Sequence, residues 1–268
     1  TKKITIPNTV KAIGADAFKN NSNLEQVMFN EGLETIGSGA FDNNNALTEI
    51  RIPNSVTTIG ENAFHTSQAN KAAIFSLAVT PPTIQSTSFA GRTGATLHVR
   101  NGAVKSYQSA ASWNAFTKIS GDILFVNDSF DFDGMSYQVT SSNQVRLTKG
   151  LNQSEVSIPE TAIFYEANYT VTEIAASAFS NYMKTKNVTI PSTVRAIGAD
   201  AFKNNYNLEQ IVFNEGLNTI GNGAFDNNYA LTEIRIPRTV TAIGENAFRT
   251  TQSNQAKNIY CMATTPPA

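Results

Sequence analysis

Only a few residues of this chain combine a type and a spacing that chemistry requires. The segment Asp131-Phe-Asp-Gly134 resembles the opening of a calcium-binding loop. However, Thr140 stands where such a loop closes with an acidic residue, and phenylalanines fill the intervening sites. An Asp-Gly pair between alternating apolar residues is also a strong hairpin signal. The hairpin interpretation fits more of these residues, so no metal site is predicted here.

The two histidines and the single cysteine do not form a cluster. His65 and His98 lack Cys, His or carboxylate neighbours at the spacing of metal ligands. Cys261 has no second cysteine with which to form an intramolecular disulfide. No segment resembles a nucleophile elbow, a P-loop or a dinucleotide-binding glycine motif. The sequence therefore predicts no enzyme, no catalytic residue, no cofactor and no metal.

Composition argues against two further classes of function. The 268 residues include 20 basic and 21 acidic side chains, which lack the basic field of a nucleic-acid-binding protein. The apolar run at residues 72–79 is much shorter than a transmembrane helix requires. We therefore expect no nucleic-acid partner and no transmembrane segment.

Repetition is the feature that organises the chain. Thr5-Ile-Pro-Asn-Thr-Val-Lys-Ala-Ile-Gly-Ala-Asp-Ala-Phe18 returns almost unchanged at residues 189–202, and each copy contains shorter repeats. An Ala-Phe pair recurs about every 23 residues within each copy, at Phe18, Phe41, Phe64, Phe202, Phe225 and Phe248. Such a period is typical of a solenoid, in which one coil buries its apolar side only by stacking on the next.

The apolar positions of one coil predict the direction of its side chains. Val27 and Phe29 alternate along a short strand, so both are expected to point inward. The other side chains of this strand are expected to point outward: Gln26, Met28 and Asn30. Each coil would pair with the next at about 4.8 Å and form a parallel sheet along one face.

The rest of the coil is predicted to return to the core. Leu33 and Ile36 are expected inside, and Gly37 is expected to relax the backbone at a bend. The pair Ala40-Phe41 then fills the far corner of the core with one small and one large side chain.

The motif itself resembles that of a known family. Leu47-Thr-Glu-Ile50-Arg-Ile52-Pro53-Asn-Ser-Val56-Thr-Thr-Ile59-Gly60-Glu-Asn-Ala63-Phe64 resembles the repeat of BspA-type bacterial leucine-rich repeat surface proteins, L-x-x-I-x-I-P-x-x-V-x-x-I-G-x-x-A-F. The resemblance covers residues 4–73 and 174–258. Many repeats of the family carry Cys shortly after Ala-Phe, where this chain has asparagine pairs. We therefore expect an asparagine ladder at residues 20–21, 43–44, 204–205 and 227–228.

The resemblance implies a repeat solenoid that is mainly β with short helical turns. Its fold would be a leucine-rich repeat right-handed superhelix with a parallel sheet on one face, in two tandem arrays. The first array is predicted at residues 1–120, with a C-terminal cap at 74–119 that includes a short helix near 103–113. The second is predicted at 121–268, with a hairpin and strand cap at 121–158 and C-terminally truncated repeats at 159–268. The copies lie 184 residues apart, which is either eight periods of 23 in continuous register or a coincidence.

The outward strand residues form the candidate binding face. In the first array they are Thr5, Gln26, Met28, Glu49 and Arg51, and in the second they are Thr189, Gln210, Val212, Glu233 and Arg235. One interpretation is a broad recognition surface built from many modest contacts. The other is that these side chains only keep the sheet soluble and pair across coils.

The resemblance implies an extracellular protein of the bacterial cell surface, used for attachment or recognition. We expect a monomer whose sheet face binds a protein or glycan on a host cell or a neighbouring cell. The alternative is a structural spacer that presents another domain of a larger surface protein. A hydrolase of surface polysaccharide is the weakest hypothesis, because it needs paired carboxylates in a cleft. Neither a signal nor an anchor is recognisable between Thr1 and Ala268, which look like cut ends.

Overall fold

The structure is a computed structural model that describes residues 2–67, 72–165, 167–251, 258–263 and 267. The chain divides into two compact units, Thr1–Leu124 and Phe125–Ala268. Almost all regular elements in the described residues are short β-strands, and helix is confined to one short α-helix and one 3-10 turn. The two units are described separately below.

The first unit contains ten strands within its described residues. Their bounds, with those of the helix α1 and the 3-10 turn η1, are β1 Lys3–Thr5, β2 Ala12–Ile13, β3 Gln26–Met28, β4 Thr35–Ile36, β5 Glu49–Ile52, β6 Thr58–Ile59, β7 Ala73–Ser76, β8 Thr83–Ile84, β9 Thr96–Arg100, α1 Val104–Ser109, η1 Trp113–Ala115 and β10 Lys118–Ile123.

Two parallel sheets run through this unit. The main sheet has the order β1-β3-β5-β7-β9-β10, and the second sheet has the order β2-β4-β6-β8. Equivalent positions of successive coils face each other, as Thr5 faces Met28 and Ile13 faces Ile36. The main sheet confirms the predicted parallel sheet. The second sheet was not predicted, because its strands are two residues long and show no alternation.

A column of phenylalanine rings runs through the core of the first unit. The ring centroids of Phe18 and Phe41 are 5.1 Å apart, those of Phe41 and Phe64 5.4 Å, and those of Phe64 and Phe89 5.2 Å. All three pairs are stacked, and Phe41 and Phe64 are 0% exposed. The structure thus confirms that the phenylalanines spaced by one repeat form a buried column.

Aromatic side chains close this column at its C-terminal end. The Trp113 ring lies 5.3 Å from the Phe89 ring, and its Nε1 donates a hydrogen bond to the carbonyl oxygen of Pro82 at 2.7 Å. Tyr107, on α1, is fully buried, and its hydroxyl lies 2.7 Å from Ser76 Oγ. These contacts confirm the predicted short helix whose aromatic residues cover the end of the core, with the polar tip of each ring satisfied.

The prediction that Asn30 points outward is wrong. Its side chain is 8% exposed, and Nδ2 donates to the carbonyl oxygen of Pro7 in the preceding coil at 2.7 Å. Asn30 Oδ1 accepts a hydrogen bond from the Gly32 amide at 2.6 Å. Asn30 therefore belongs to the turn after β3, where it ties two coils together, and the alternation of the strand ends before it.

The second unit contains thirteen strands within its described residues. Their bounds are β11 Ser129–Phe132, β12 Met135–Ser141, β13 Gln144–Lys149, β14 Glu155–Ser157, β15 Thr161–Phe164, β16 Ala167–Ile174, β17 Asn187–Ile190, β18 Ala196–Ile197, β19 Gln210–Phe213, β20 Thr219–Ile220, β21 Glu233–Ile236, β22 Ala242–Ile243 and β23 Asn258–Cys261.

The second unit opens with antiparallel strands and continues as a solenoid. Strands β11 and β12 form the predicted hairpin, with Asp133 at φ 50° and Gly134 at φ 74° in its turn, so the hairpin interpretation is confirmed. The largest sheet has the order β11-β12-β13-β16-β18-β20-β22, with β15 paired to β16. The strands equivalent to the main sheet of the first unit form two separate ladders, β14-β17-β19 and β21-β23.

The second unit has its own phenylalanine column and asparagine ladder. The ring centroids are 4.7 Å apart for Phe179 and Phe202 and 5.0 Å apart for Phe202 and Phe225. Asn204 Nδ2 donates to Asn181 Oδ1 at 3.0 Å. A further rung joins Asn227 to Asn204 at 3.2 Å, and in the first unit Asn43 bonds to Asn20 at 3.3 Å. The predicted ladder is thus confirmed for the first asparagine of each pair, whereas Asn44 and Asn228 donate to the carbonyl oxygens of Phe18 and Phe202.

Candidate partner-binding face

The predicted face residues of the first unit lie on β1, β3 and β5, at the alternate positions that leave the core. Ile4, Val27 and Ile50 occupy the inward positions of the same strands. Thr5 and Arg51 are exposed, Met28 is 55% exposed, and Gln26 and Glu49 are partly exposed. Gln26 faces Glu49 in register, and Thr5 faces Met28. The structure therefore brings all five side chains to one side of the main sheet, and their role in binding stays a prediction.

Two aromatic residues that the sequence analysis missed extend this face. The guanidinium carbon of Arg51 lies 4.2 Å from the centroid of the Phe75 ring. The other neighbour of Phe75 is His98, whose ring is stacked on it at 4.6 Å with an interplanar angle of 19°. His98 Nδ1 lies 2.6 Å from Asp122 Oδ2. Cation, phenyl ring, imidazole and carboxylate thus form one row across β5, β7, β9 and β10.

The sequence contained a signal for this row. Ile74 and Leu97 are buried strand residues, so alternation places Phe75 and His98 on the outward side. The sequence analysis places this segment in the cap at residues 74–119 and therefore predicts no outward row there. In the structure β7 and β9 continue the main sheet.

The second unit repeats the same combination of side chains. Arg235 Nε donates to Glu233 Oε1 at 2.8 Å, and the Arg235 guanidinium carbon lies 5.2 Å from the centroid of the Tyr260 ring. Tyr260 faces Arg235 in register and is 46% exposed, and the sequence analysis missed it too. Thr189 faces Val212 on β17 and β19. Both units therefore present an acidic residue, an arginine and an aromatic ring in the same order.

A shallow depression of about 390 Å³ lies on this face of the second unit. Four of the five predicted residues line it, Gln210, Val212, Glu233 and Arg235, together with residues 209, 211 and 213. It lies between β19 and β21, which belong to separate ladders in the described residues. Phe213 at the end of β19 is only partly buried, and its ring meets Phe225 edge-on at 5.7 Å. The fifth residue, Thr189, lies outside the depression's lining.

The electrostatics of the face leave both arginines accessible. Arg51 Nε is 3.5 Å from Glu49 Oε1, with side chains 48% and 40% exposed. The equivalent pair of Arg235 and Glu233 is 70% and 50% exposed. Exposed ion pairs of this kind contribute about 0–1 kcal/mol because water and salt screen them. A partner carboxylate therefore competes with the glutamate at little cost.

The described residues hold few groups suited to chemistry. Within them, no three His, Cys, Asp or Glu side chains are close enough together to hold a metal ion. His65 Nδ1 contacts Asp42 Oδ1 at 2.6 Å, and in the second unit Arg249 makes two hydrogen bonds to the equivalent Asp226 at 2.8 and 2.9 Å. These contacts link neighbouring coils at the corner that follows the phenylalanine. No helix in the described part of the chain has the length and apolarity that spanning a membrane would require.

Several solved structures are similar to the chain. A leucine-rich repeat protein from Bacteroides capillosus is 27% identical, with a TM-score of 0.43. The aligned region covers 50% of the present chain and 97% of the Bacteroides chain. A leucine rich cell surface protein from Faecalibacterium prausnitzii is 19% identical, and the alignment covers 98% of the present chain and 88% of the Faecalibacterium chain, with a TM-score of 0.43. A leucine rich repeat protein from Treponema pallidum is 24% identical, and the alignment covers 46% of the present chain and 67% of the Treponema chain, with a TM-score of 0.38. Among curated proteins, none matches the chain.

The family profile decides the assignment. The profile described as "BspA type Leucine rich repeat region" matches residues 1–117 and 140–263, in six copies. These ranges include the phenylalanine columns and most strands of both solenoids. The chain belongs to the BspA-type leucine-rich repeat family.

Proposed function

We propose that this chain is a non-enzymatic recognition module of a bacterial cell surface. Its partner would be a macromolecule, a protein or a glycan on a host cell or a neighbouring cell, bound through the main sheet face. The family supports this, because its members are typically surface or secreted proteins and its repeats are generally non-enzymatic.

The single observation that carries the proposal is the repeated group of glutamate, arginine and aromatic ring. Glu49, Arg51 and Phe75 form it in the first unit, and Glu233, Arg235 and Tyr260 form it in the second. Solubility alone does not require an aromatic ring on an exposed sheet. Arginine and aromatic residues are, in contrast, the side chains that most often dominate binding energy at interfaces.

The contact between arginine and ring also prepares the face for binding. A guanidinium that already lies over a ring has fewer conformations to lose when a partner arrives. Its N–H groups are suited to a carboxylate or to the hydroxyl groups of a sugar. Two such groups in one chain would increase avidity if a single partner reaches both.

A structural spacer is the second candidate, and a different observation favours it. Ion pairs between neighbouring coils recur at the surface one repeat apart, such as Lys2 with Glu25 at 2.7 Å and Lys186 with Glu209 at 3.0 Å. Another joins Arg238 to Glu215 at 3.3 Å. A regular, braced solenoid suits a stiff stalk, and a clean negative in the binding test below would favour this function.

Charge reversal tests the sheet face. The double variant Arg51→Glu and Arg235→Glu, the unchanged chain and a control variant are applied to host matrix proteins, a glycan array and bacterial cells. Arg238→Glu is the matched control, because it makes the same change outside the strands of the face. We expect the double variant to lose at least tenfold in affinity and the control to bind normally. If binding survives both charge reversals, the sheet face is not the binding surface.

A further inference from the structure

The two copies of the repeat differ at one edge of the coils. Tyr206 and Tyr229 in the second copy stand where the first copy has Ser22 and Asn45. Between residues 5–66 and 189–250, these are the only two positions at which an aromatic residue replaces a polar one. Both lie in the segment between the Ala-Phe corner and the next strand of the main face. An aromatic pair has thus been placed on a framework that folds without it in the other copy.

The two tyrosines form an ordered stack at the surface. Their ring centroids are 5.1 Å apart and their planes differ by 6°. Tyr206 is 38% exposed, and Tyr229 is partly buried with its hydroxyl 3.0 Å from Thr251 Oγ1. Met183, one repeat before Tyr206, is 44% exposed. Met183, Tyr206 and Tyr229 are called the tyrosine stripe below.

The core of the first unit shows what such a stack accepts. Phe41 and Phe64 are stacked at 5.4 Å and 3°, and the Phe29 ring meets both at 79°, with centroid distances of 5.5 and 6.3 Å. Because Phe41 and Phe64 turn their faces to each other, Phe29 contacts the side of the stack. Ring edges are electropositive and ring faces electronegative, so a ring placed flat against two edges is favoured. Among the described residues, no ring lies across the stack of Tyr206 and Tyr229 in this way.

The charged residues beside the tyrosine stripe indicate which charge a partner should carry. Lys184, next to Met183, is exposed, and its Nζ has no carboxylate partner within the described part of the chain. Other cations in these coils are already paired: Lys186 with Glu209, Lys203 with Asp200 and Arg249 with Asp226. A carboxylate on the partner would therefore find one free cation beside the rings. Tyrosine and methionine are also enriched at protein interfaces.

We propose that the tyrosine stripe is a docking site for a polypeptide segment that carries an aromatic residue next to an acidic one. The partner's ring meets both Tyr206 and Tyr229 at a steep angle, as Phe29 meets Phe41 and Phe64, and its carboxylate pairs with Lys184. A neutral glycan fits less well, because it offers neither an aromatic ring to the ring edges nor a carboxylate to Lys184. The site is separate from the main sheet face, and only the second unit carries it.

Peptide selection on the full chain tests the proposal. A random dodecapeptide phage library is selected on the chain, and the dominant peptide is synthesised and its dissociation constant measured by calorimetry. We expect an aromatic and an acidic residue to be enriched together. Replacing the peptide's aromatic residue by cyclohexylalanine keeps its size but removes the π face, and we expect at least a tenfold loss of affinity.

Variants of the chain provide matched controls. Tyr206→Ser with Tyr229→Asn installs the residues of the first copy, so folding is retained, and we expect at least a tenfold loss of peptide affinity. Lys184→Gln is expected to weaken binding three- to tenfold. Circular dichroism and thermal unfolding confirm that each variant is folded.

Several results would overturn the proposal. These are selected peptides without aromatic residues, unchanged affinity in the serine and asparagine variant, or equal binding of the cyclohexylalanine peptide. Glycans that bind the chain and depend on Tyr206 and Tyr229 would also contradict it. Arg51→Glu with Arg235→Glu is expected to leave peptide affinity unchanged, so failure of the sheet-face function and failure of the tyrosine stripe are distinguishable.

Discussion

Gly37 passes so close to the preceding coil that a Cβ at this position would lie 2.7 Å from the backbone nitrogen of Ala15. The Gly37 amide also donates to the carbonyl oxygen of Ile13 at 2.8 Å. The glycine is therefore needed for close approach between coils, whereas the sequence analysis had assigned it to a relaxed bend. Gly221 in the second unit has the same relationship, with a virtual Cβ 2.7 Å from the nitrogen of Ala199.

We predict that Gly37→Ala destabilises the first unit by about 1–3 kcal/mol, because the coils must separate to admit the methyl group. Gly14 is the matched control, since it occupies the same repeat position in the first coil and a Cβ there meets nothing within 4 Å. Gly14→Ala should be neutral or slightly stabilising. Urea unfolding measures both, and equal stabilities of the two variants would contradict the close approach.

Phe41 is the second test, because it lies within the buried column. Its ring is stacked on Phe18 and on Phe64 and is 0% exposed. We expect Phe41→Ala to cost about 3–5 kcal/mol, the loss typical of a cavity in a close-packed core. Phe18→Ala should cost less, since Phe18 is only partly buried at the end of the column. A loss well under 1 kcal/mol for Phe41→Ala in urea unfolding would mean that the core is placed wrongly.

The sequence predicted these core features because a constant repeat length places equivalent side chains of successive coils at equivalent positions. Once Phe41 and Phe64 are equivalent, their stacking follows, and alternation around Val27 follows from the strand. The direction of the Asn30 side chain was predicted wrongly, because an amide that bonds to the preceding coil looks like any exposed polar residue in the sequence. Phe75 and His98 were missed because the repeat motif decays there while the strand geometry continues.

Stability at alkaline pH follows from two buried phenols. Burial raises the pKa of Tyr107 to about 12, although its hydrogen bond with Ser76 acts in the opposite direction. Burial, and secondarily Asp133, also raises the pKa of Tyr137 to about 12. Between pH 10 and 12 the unfolded phenols lose their protons and the folded ones keep them. Each tyrosine therefore lowers the free energy of unfolding by up to about 1.4 kcal/mol per pH unit.

Arg92 acts in the opposite direction over the same range. Its side chain is fully buried against the carbonyl oxygens of Phe64 and Asn44, and this burial lowers its pKa to about 10. A lowered pKa means that the folded state releases this proton before the unfolded state does, so this group makes stability rise with pH above about 10. Burial also raises the pKa of Tyr169 and of Tyr182, which act in the same direction as Tyr107 and Tyr137, so the net effect of rising pH is a loss of stability.

Urea unfolding between pH 9 and 11.5 measures this net slope. We expect stability to fall as pH rises, and Tyr137→Phe to remove part of the fall, because this change eliminates one titrating phenol and only a long contact, 3.5 Å, with Met135 Sδ. Tyr107→Phe should also flatten the profile while lowering stability at every pH, since it loses hydrogen bonds to Ser76 and Ala78. A slope that is the same in both variants and the unchanged chain would contradict this origin.

Substitution of Asn204 can separate two roles of the ladder asparagines, the side-chain hydrogen bonds between coils and the left-handed backbone conformation. Its backbone has φ 59°, which is left-handed, and its side chain bonds to Asn181 on one side and to Asn227 on the other. Asn204→Ala loses the hydrogen bonds and strains the backbone, so we expect a cost of about 2–3 kcal/mol. Asn204→Gly removes the same hydrogen bonds but relieves the strain, and should cost about 1 kcal/mol less than alanine. If both variants unfold at the same urea concentration, the backbone conformation contributes nothing and asparagine is present for the ladder alone.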